Sequence, residues 1–309
     1  MHVFSCRYIA WTLLFILPLL IWKGRAEAVR SFVIEEGQTV YGSPQWIRLD
    51  GETTLLDIAR NYDLGFNQIT AANPGVDPWI PGKDTMVILP DIYILPQDRL
   101  ASGIVVNLAE MRLYYFFSAG MNAYVLTAPI GVGREGFLTQ LGIYMVKSKT
   151  DRPTWYVPES IRQEDPTLPA EVPPGPENPL GDFIFRLSRS AYGIHGTNKP
   201  WGVGRRVSHG CIRLYPEDIA TLYPIVPVGT MVRITYEPVK IGWAHGQCWI
   251  QVFDDFEGKI GDLAREARIR LKACENMYGP LKVDEAVLEE AVVKKDGIAR
   301  AVARPRAQQ

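Results

Sequence analysis

An excess of charge of either sign is missing. Lysine and arginine number 33, aspartate and glutamate 34, for a formal net charge of −1. That leaves no electrostatic case for nucleic acid, which calls for a basic face. Cysteine is scarce at four residues, and so is histidine at four. Beyond the N-terminal segment no stretch is apolar enough to span a membrane. What is present in bulk is ordinary. The chain is 47% hydrophobic and 22% charged, a globular rather than a disordered balance. Its 309 residues are enough for two domains.

The N-terminus carries one apolar run, "YIAWTLLFILPLLIW" (residues 8–22). It is short of the ~20 residues of a comfortable span. An A-x-A pattern follows at Ala26–Ala28, so residues 1–28 read as a signal peptide cleaved after Ala28. The alternative is an uncleaved anchor, which Lys23 and Arg25 keep open. Export implies an oxidising compartment. Three cysteines remain after cleavage, Cys211, Cys248 and Cys274, and an odd number leaves one without an intramolecular partner.

Residues 38–90 form a first small unit. "QWIRL" reads as a strand and "TTLLDIARNY" as a helix, with Thr54 and Asp57 as its N-terminal cap. "NQITAANP" is a second helix stopped at Asn73-Pro74, and "TMVILP" a closing strand. "DIYILPQDRLAS" reads as a linker. A second unit, residues 102–237, starts rich in strands around a glycine-rich "GVGREG". Residues 151–181 hold eight of the 23 prolines, so they are neither a regular helix nor a central strand. Strands resume with "DFIFRL" and "AYGIHG", then a helix "PEDIATLYPIV" and a strand "GTMVRITY". Residues 238–309 read as a helical extension ending in a mobile basic tail.

The chemistry gathers in "GIHGTNKPWGVGRRVSHGCIRL" (residues 193–214). A free thiol is only a few per cent thiolate at neutral pH and needs a base. His195 ends a strand, and His209 lies in the turn that delivers Cys211. Gly210 permits a tight turn whose N–H groups converge as oxyanion donors. Arg213 is a planar cation suited to a carboxylate. Taken alone, "SHGC" leaves a disulfide or a metal site open, although H-x13-H-x-C is not a usual zinc spacing. With His195 added, the set points to acyl transfer through a thioester. "AHGQCW" (residues 244–249) echoes the turn but lacks the serine, the arginine and the upstream His-Gly, and reads as a structural loop.

Two resemblances follow from these residues. "TLLDIARNYDLGFNQITAANPGVDPWIPG" with the terminal "VILP" resembles the LysM module, a βααβ unit that binds N-acetylglucosamine-containing glycans. "HGTNKPWGVGRRVSHGCIRL" resembles the signature of the YkuD-type L,D-transpeptidase catalytic domain, over residues 102–237. The expected fold is therefore a mainly β catalytic domain, a YkuD-type β-sandwich with short helices. A small βααβ LysM-like domain and a helical C-terminal extension accompany it. The resemblance implies Cys211 as nucleophile, His195 as general base and acid, and Gly196 as the residue whose backbone orients the imidazole. It implies catalytic-turn roles for Ser208 and His209, and oxyanion or substrate contacts for Gly210 and Arg213. "LTQLG" (residues 138–142) departs from a "TPTG" common in the family, which bears on local loop shape. No metal or organic cofactor is implied.

The implied reaction is on peptidoglycan. The thiol attacks the third stem-peptide residue, D-Ala leaves, and an amine resolves the thioester. The implied partners are glycan strands and stem peptides, with the C-terminal lysine of an outer-membrane lipoprotein as the favoured acceptor. Third-to-third cross-linking, an L,D-carboxypeptidase and a non-catalytic peptidoglycan-binding protein are the alternatives. The implied location is the periplasm, with no membrane span after cleavage, and carbapenem-type β-lactams would acylate the same thiol. Cys248 and Cys274 are available to pair as a disulfide, leaving Cys211 as the odd thiol.

Overall fold

A computed structural model describes residues 29–188 and 192–306. The expected signal peptide lies outside the described residues. The N-terminal part runs β1 (Arg30–Ile34), β2 (Val40–Gly42), β3 (Gln45–Arg48), α1 (Leu55–Asn61), α2 (Phe66–Ala72), β4 (Met86–Leu89) and β5 (Ile92–Ile94). Strands β3 and β4 pair antiparallel around the two helices. Thr54 caps α1 through a reciprocal box: Asp57 N–H donates to its Oγ1, and the Asp57 carboxylate accepts from the Thr54 N–H. Leu55, Ile58, Leu64, Ile69, Val87 and Leu89 close a small core of their own.

The second part follows as β6 (Gly103–Asn107), β7 (Arg112–Ala119), β8 (Asn122–Pro129), β9 (Val132–Gly133) and β10 (Gly142–Asp151). The proline-rich stretch carries β11 (Trp155–Tyr156), α3 (Glu159–Glu164) and β12 (Glu171–Val172). Then come β13 (Phe183–Leu187), β14 (Gly193–His195), a 3-10 turn at Pro200–Gly202, β15 (Arg206–Ser208), β16 (Ile212–Arg213), α4 (Pro216–Ile225) and β17 (Met231–Thr235). Nine strands form one mixed sheet in the order β1-β8-β7-β6-β17-β10-β13-β14-β16. The long strand β10 turns the sheet over. Its first half pairs with β17 and its second with β13, with an irregularity between Val146 and Ser148. Val106, Leu113 and Leu126 from one half then share a core with Phe185, Ile194 and Ile212 from the other, and α4 adds Ile219 and Leu222. The mainly β expectation holds, but the two layers are one curled sheet rather than two separate ones.

Two readings need correction. "DIYILPQDRLAS" is not all linker: Ile92–Ile94 form β5, paired with β2, because three consecutive buried side chains need a backbone partner. The C-terminal extension is not purely helical. It runs β18 (Val239–Ala244), β19 (Gln247–Val252), α5 (Leu263–Tyr278), β20 (Leu281–Val283), α6 (Glu285–Lys294) and β21 (Arg300–Pro305). Residues 300–305 of the supposed mobile tail form the strand between β19 and β20. Val302 and Ala303 are buried there, so its basic residues sit on a strand with a core face. The "AHGQCW" echo is the turn of the β18–β19 hairpin, with His245 and Gly246 both at positive φ.

Candidate active site

The parallel pair β14 and β16 ends the sheet, with Ile194 opposite Ile212 and His195 opposite Arg213. Side chains alternate along a strand. His195 and Arg213 therefore lie on one face, and Cys211, two residues before Arg213, projects to the same side. Cys211 is half-buried with a free thiol. His195 is only 3% exposed. The fifteen residues between His195 and Cys211 leave the sheet and return to the neighbouring strand.

His195 Nδ1 lies 2.6 Å from the Gly196 carbonyl oxygen. The Leu180 carbonyl also acts on the ring. A carbonyl can only accept, so Nδ1 carries the proton and Nε2 is left as the acceptor. Burial, helped by the nearby Arg213 charge, pushes the imidazole pKa down to about 4. Burial pushes the Cys211 thiol up, opposed by a Gly193 backbone contact and the charges of Arg213 and Arg186. The resting pair at neutral pH is thus a thiol and a neutral imidazole, not an ion pair.

Ser208 ties the turn together. Its Oγ donates to the Cys211 carbonyl at 2.6 Å and accepts from the Gly210 N–H at 3.1 Å. Gly210 has φ +102°, and a Cβ there would lie 2.4 Å from Tyr192 Cε1. No other residue fits without moving that ring. The Gly210 N–H, expected as an oxyanion or substrate contact, donates to Ser208 Oγ here. His209 is drawn away from this face. Its Nε2 lies 3.1 Å from Glu164 Oε2 and 3.0 Å from Arg134 Nη2, and Phe137 meets the ring edge-on. The structure brings Cys211, His195, Gly196, Ser208 and Arg213 together, and sets His209 against the proline-rich segment.

Three positioning residues escaped sequence reasoning. Thr139, in the divergent "LTQLG", is buried; its Oγ1 accepts from Gly133 N–H and donates to the Gly210 carbonyl, both at 3.0 Å. Tyr192 walls the turn. Asn178 is fully buried; its Nδ2 donates to the carbonyl of Pro153 at 2.7 Å, and its Oδ1 accepts from Leu180 N–H at 2.9 Å. That holds Leu180 beside His195. Asn178 had a signal: prolines supply carbonyls and no N–H, so a lone amide among them is the natural donor.

Residues 101–234 match the YkuD L,D-transpeptidase catalytic domain. The chain is 37% identical over 284 residues to the probable L,D-transpeptidase YbiS of Escherichia coli K12, covering 88% of this chain and 92% of that one. It is also 37% identical over 274 residues to the probable L,D-transpeptidase ErfK/SrfK of Salmonella typhimurium LT2, covering 85% and 87%. The solved catalytic domain of Enterococcus faecium L,D-transpeptidase is similar at 25% identity, covering 44% of this chain and 98% of that one, with a TM-score of 0.34. Identity of this extent, across the segment that carries the cysteine turn, means that the chain belongs to the L,D-transpeptidase family.

Proposed function

We propose that this chain is an exported, thiol-dependent transpeptidase of peptidoglycan stem peptides. The observation that supports the reading most is the arrangement on the β14–β16 face: a buried His195 whose Nδ1 is held by the Gly196 carbonyl, on the strand paired with the one that follows the half-buried Cys211. Cys211 passes its proton to Nε2 as its sulfur attacks the carbonyl of the third stem residue. The tetrahedral oxyanion is held by N–H groups of the 209–211 turn, those of His209 and Cys211. The imidazolium returns the proton to the departing D-Ala amine, and a thioester remains. An acceptor amine attacks the thioester carbonyl, His195 takes its proton, and the amide product leaves with the thiol restored. Arg213 meets a stem-peptide carboxylate. Ser208 keeps the turn closed, and His209 ties that turn to the proline-rich segment rather than moving the proton.

The favoured acceptor is the C-terminal lysine of an outer-membrane lipoprotein, and the 38–90 unit is a LysM-like module that holds the chain on glycan. Export by residues 1–28 places the reaction in the periplasm. Among the described residues no helix is long and apolar enough to cross a membrane. The test is incubation of the mature chain with disaccharide-tetrapeptide, followed by mass spectrometry. Loss of D-Ala and a thioester on Cys211 are expected; neither appearing overturns the reading. Competition between a lysine-ending peptide and a second stem then assigns the acceptor, and a tripeptide product alone would make the chain a carboxypeptidase.

A further inference from the structure

Where the N-terminal unit meets the catalytic part, a cleft of about 510 Å³ opens to solvent. Its walls come from both. Ala59, Arg60, Phe66 and Trp79 face Pro200, Trp201, Val203 and Tyr215. Two indoles stand exposed on it, Trp79 at 57% and Trp201 at 55%. The backbone under each is held in place: the Trp79 main-chain N–H donates to Asp77 Oδ1 at 2.8 Å, and the 3-10 turn around Trp201 is closed by Gly202 N–H to the Lys199 carbonyl at 3.0 Å.

The charges at the rim are already committed. Arg60 grips Glu217 through two bonds of 2.7 and 2.9 Å. Arg205 lies over the Phe66 ring at 3.5 Å. Asp57 serves the α1 cap. Arg205 also reaches the Trp79 ring, 5.8 Å from its centre, yet both indoles stay more than half exposed. A cleft whose charges are engaged and whose indoles still present open surface suits a neutral ligand that is apolar on its flat side and polar at its edges. A pyranose is such a ligand, with C–H groups on its faces and hydroxyls around its rim. The cleft also adjoins the reaction face. A methyl group built on Gly202, next to Trp201, would lie 3.9 Å from the Arg213 guanidinium.

We propose that Trp79 and Trp201 form one composite site for a neutral N-acetylated hexosamine segment, so that the catalytic part itself supplies half of the glycan contact. The inference rests on the peptidoglycan reading above. It places the sugar of a disaccharide-peptide substrate on the cleft while its stem reaches the Cys211 face. Fixing the non-reacting sugar raises the local concentration of the stem.

The experiment is calorimetric titration of the mature chain with tetra-N-acetylchitotetraose, alongside Trp79→Ala and Trp201→Ala. Each variant is expected to bind about tenfold more weakly, or ~1.4 kcal/mol. Trp201→Phe, which keeps a ring face, should recover most of the loss. The preference for disaccharide-tetrapeptide over sugar-free tetrapeptide, as a ratio of kcat/KM, should fall in both alanine variants. Wild-type affinity in Trp201→Ala, or no binding by the wild type, overturns the composite site. Binding of an apolar peptide in place of the sugar overturns it too. Release of D-Ala from sugar-free tetrapeptide reports separately on the reaction, so the two readings fail independently.

Discussion

His195 is held neutral by burial, and that has a signed consequence for stability. Its pKa falls from 6.5 in the unfolded chain to about 4 in the folded one. Between those values the unfolded chain binds more protons, so stability drops as pH is lowered through the window. The loss reaches roughly 3 kcal/mol by pH 4. Urea denaturation from pH 7 to pH 4 should show this component in the wild type and not in His195→Gln. The same neutral imidazole predicts an acid limb of kcat/KM near pH 4 rather than near 6.5. Thr139 makes a second residue-scale test. Its hydroxyl is the only group of the side chain that Thr139→Val removes, and it leaves the Gly133 N–H and the Gly210 carbonyl unpaired in a buried place. A loss of about 1–3 kcal/mol is expected, together with slower acylation of Cys211. Thr139→Ser should restore both.

The Ser208–Cys211 turn and the β19–α5 contact are two closely constrained elements. Gly210→Ala meets a left-handed φ and the Tyr192 ring at once. We expect it to cost ~1–3 kcal/mol from the backbone alone and to lower kcat more than it raises KM. Denaturation and steady-state rates check both. At the other end of the chain, the Cys248 and Cys274 sulfurs lie 2.6 Å apart, 26 residues apart in sequence, both as buried free thiols. Exchange with oxidised glutathione would form one protein disulfide and release two glutathione thiols. Alkylation and intact mass should then find one reactive thiol in the mature chain, Cys211, and three after reduction. Three reactive thiols before reduction would refute the pairing. The bond would fasten α5 to β19 and add ~3 kcal/mol.

At the scale of the whole molecule, the N-terminal unit is fixed to the catalytic part rather than tethered. Phe66 and Asn67 N–H groups donate to the Val203 and Gly204 carbonyls, each at 3.2 Å. The Gly65–Gly204 approach is so close that a Cβ on Gly204 would lie 2.2 Å from Phe66 N. Arg112 is buried beneath this junction. It donates to the Asp63 carbonyl at 2.7 Å and to Gln68 at 3.1 Å, with the Asp63 carboxylate 4.0 Å away and Tyr93 under its guanidinium. Arg112→Ala takes the guanidinium away from that buried carboxylate and leaves it the Arg30 N–H at 3.1 Å, a change worth about 3–5 kcal/mol. The expected signs are a lower Tm and early protease cleavage near residues 95–102.

The sequence by itself determined the local structures and the reaction class. The capping pair Thr54 and Asp57, the apolar spacing of α1 and α5, and the "SHGC" turn are written in neighbouring residues. Turns, caps and periodicity depend on nearest neighbours, so a linear reading finds them. Short strands were harder. Ile92–Ile94 and Arg300–Pro305 have too few residues to show a period, and only their partners β2, β19 and β20 make them strands. The site divides in the same way. Cys211, His195 and Arg213 were legible because they crowd one motif. Thr139 and Tyr192 were not, since nothing local marks a hydroxyl or a ring that acts across the fold; Asn178 was marked only by the prolines around it. Tertiary structure alone decided that Gly210 N–H belongs to Ser208, that His209 faces Glu164, and that Trp79 and Trp201 share a cleft. Each is a contact between segments that the curled sheet and the Gly65–Gly204 junction bring together.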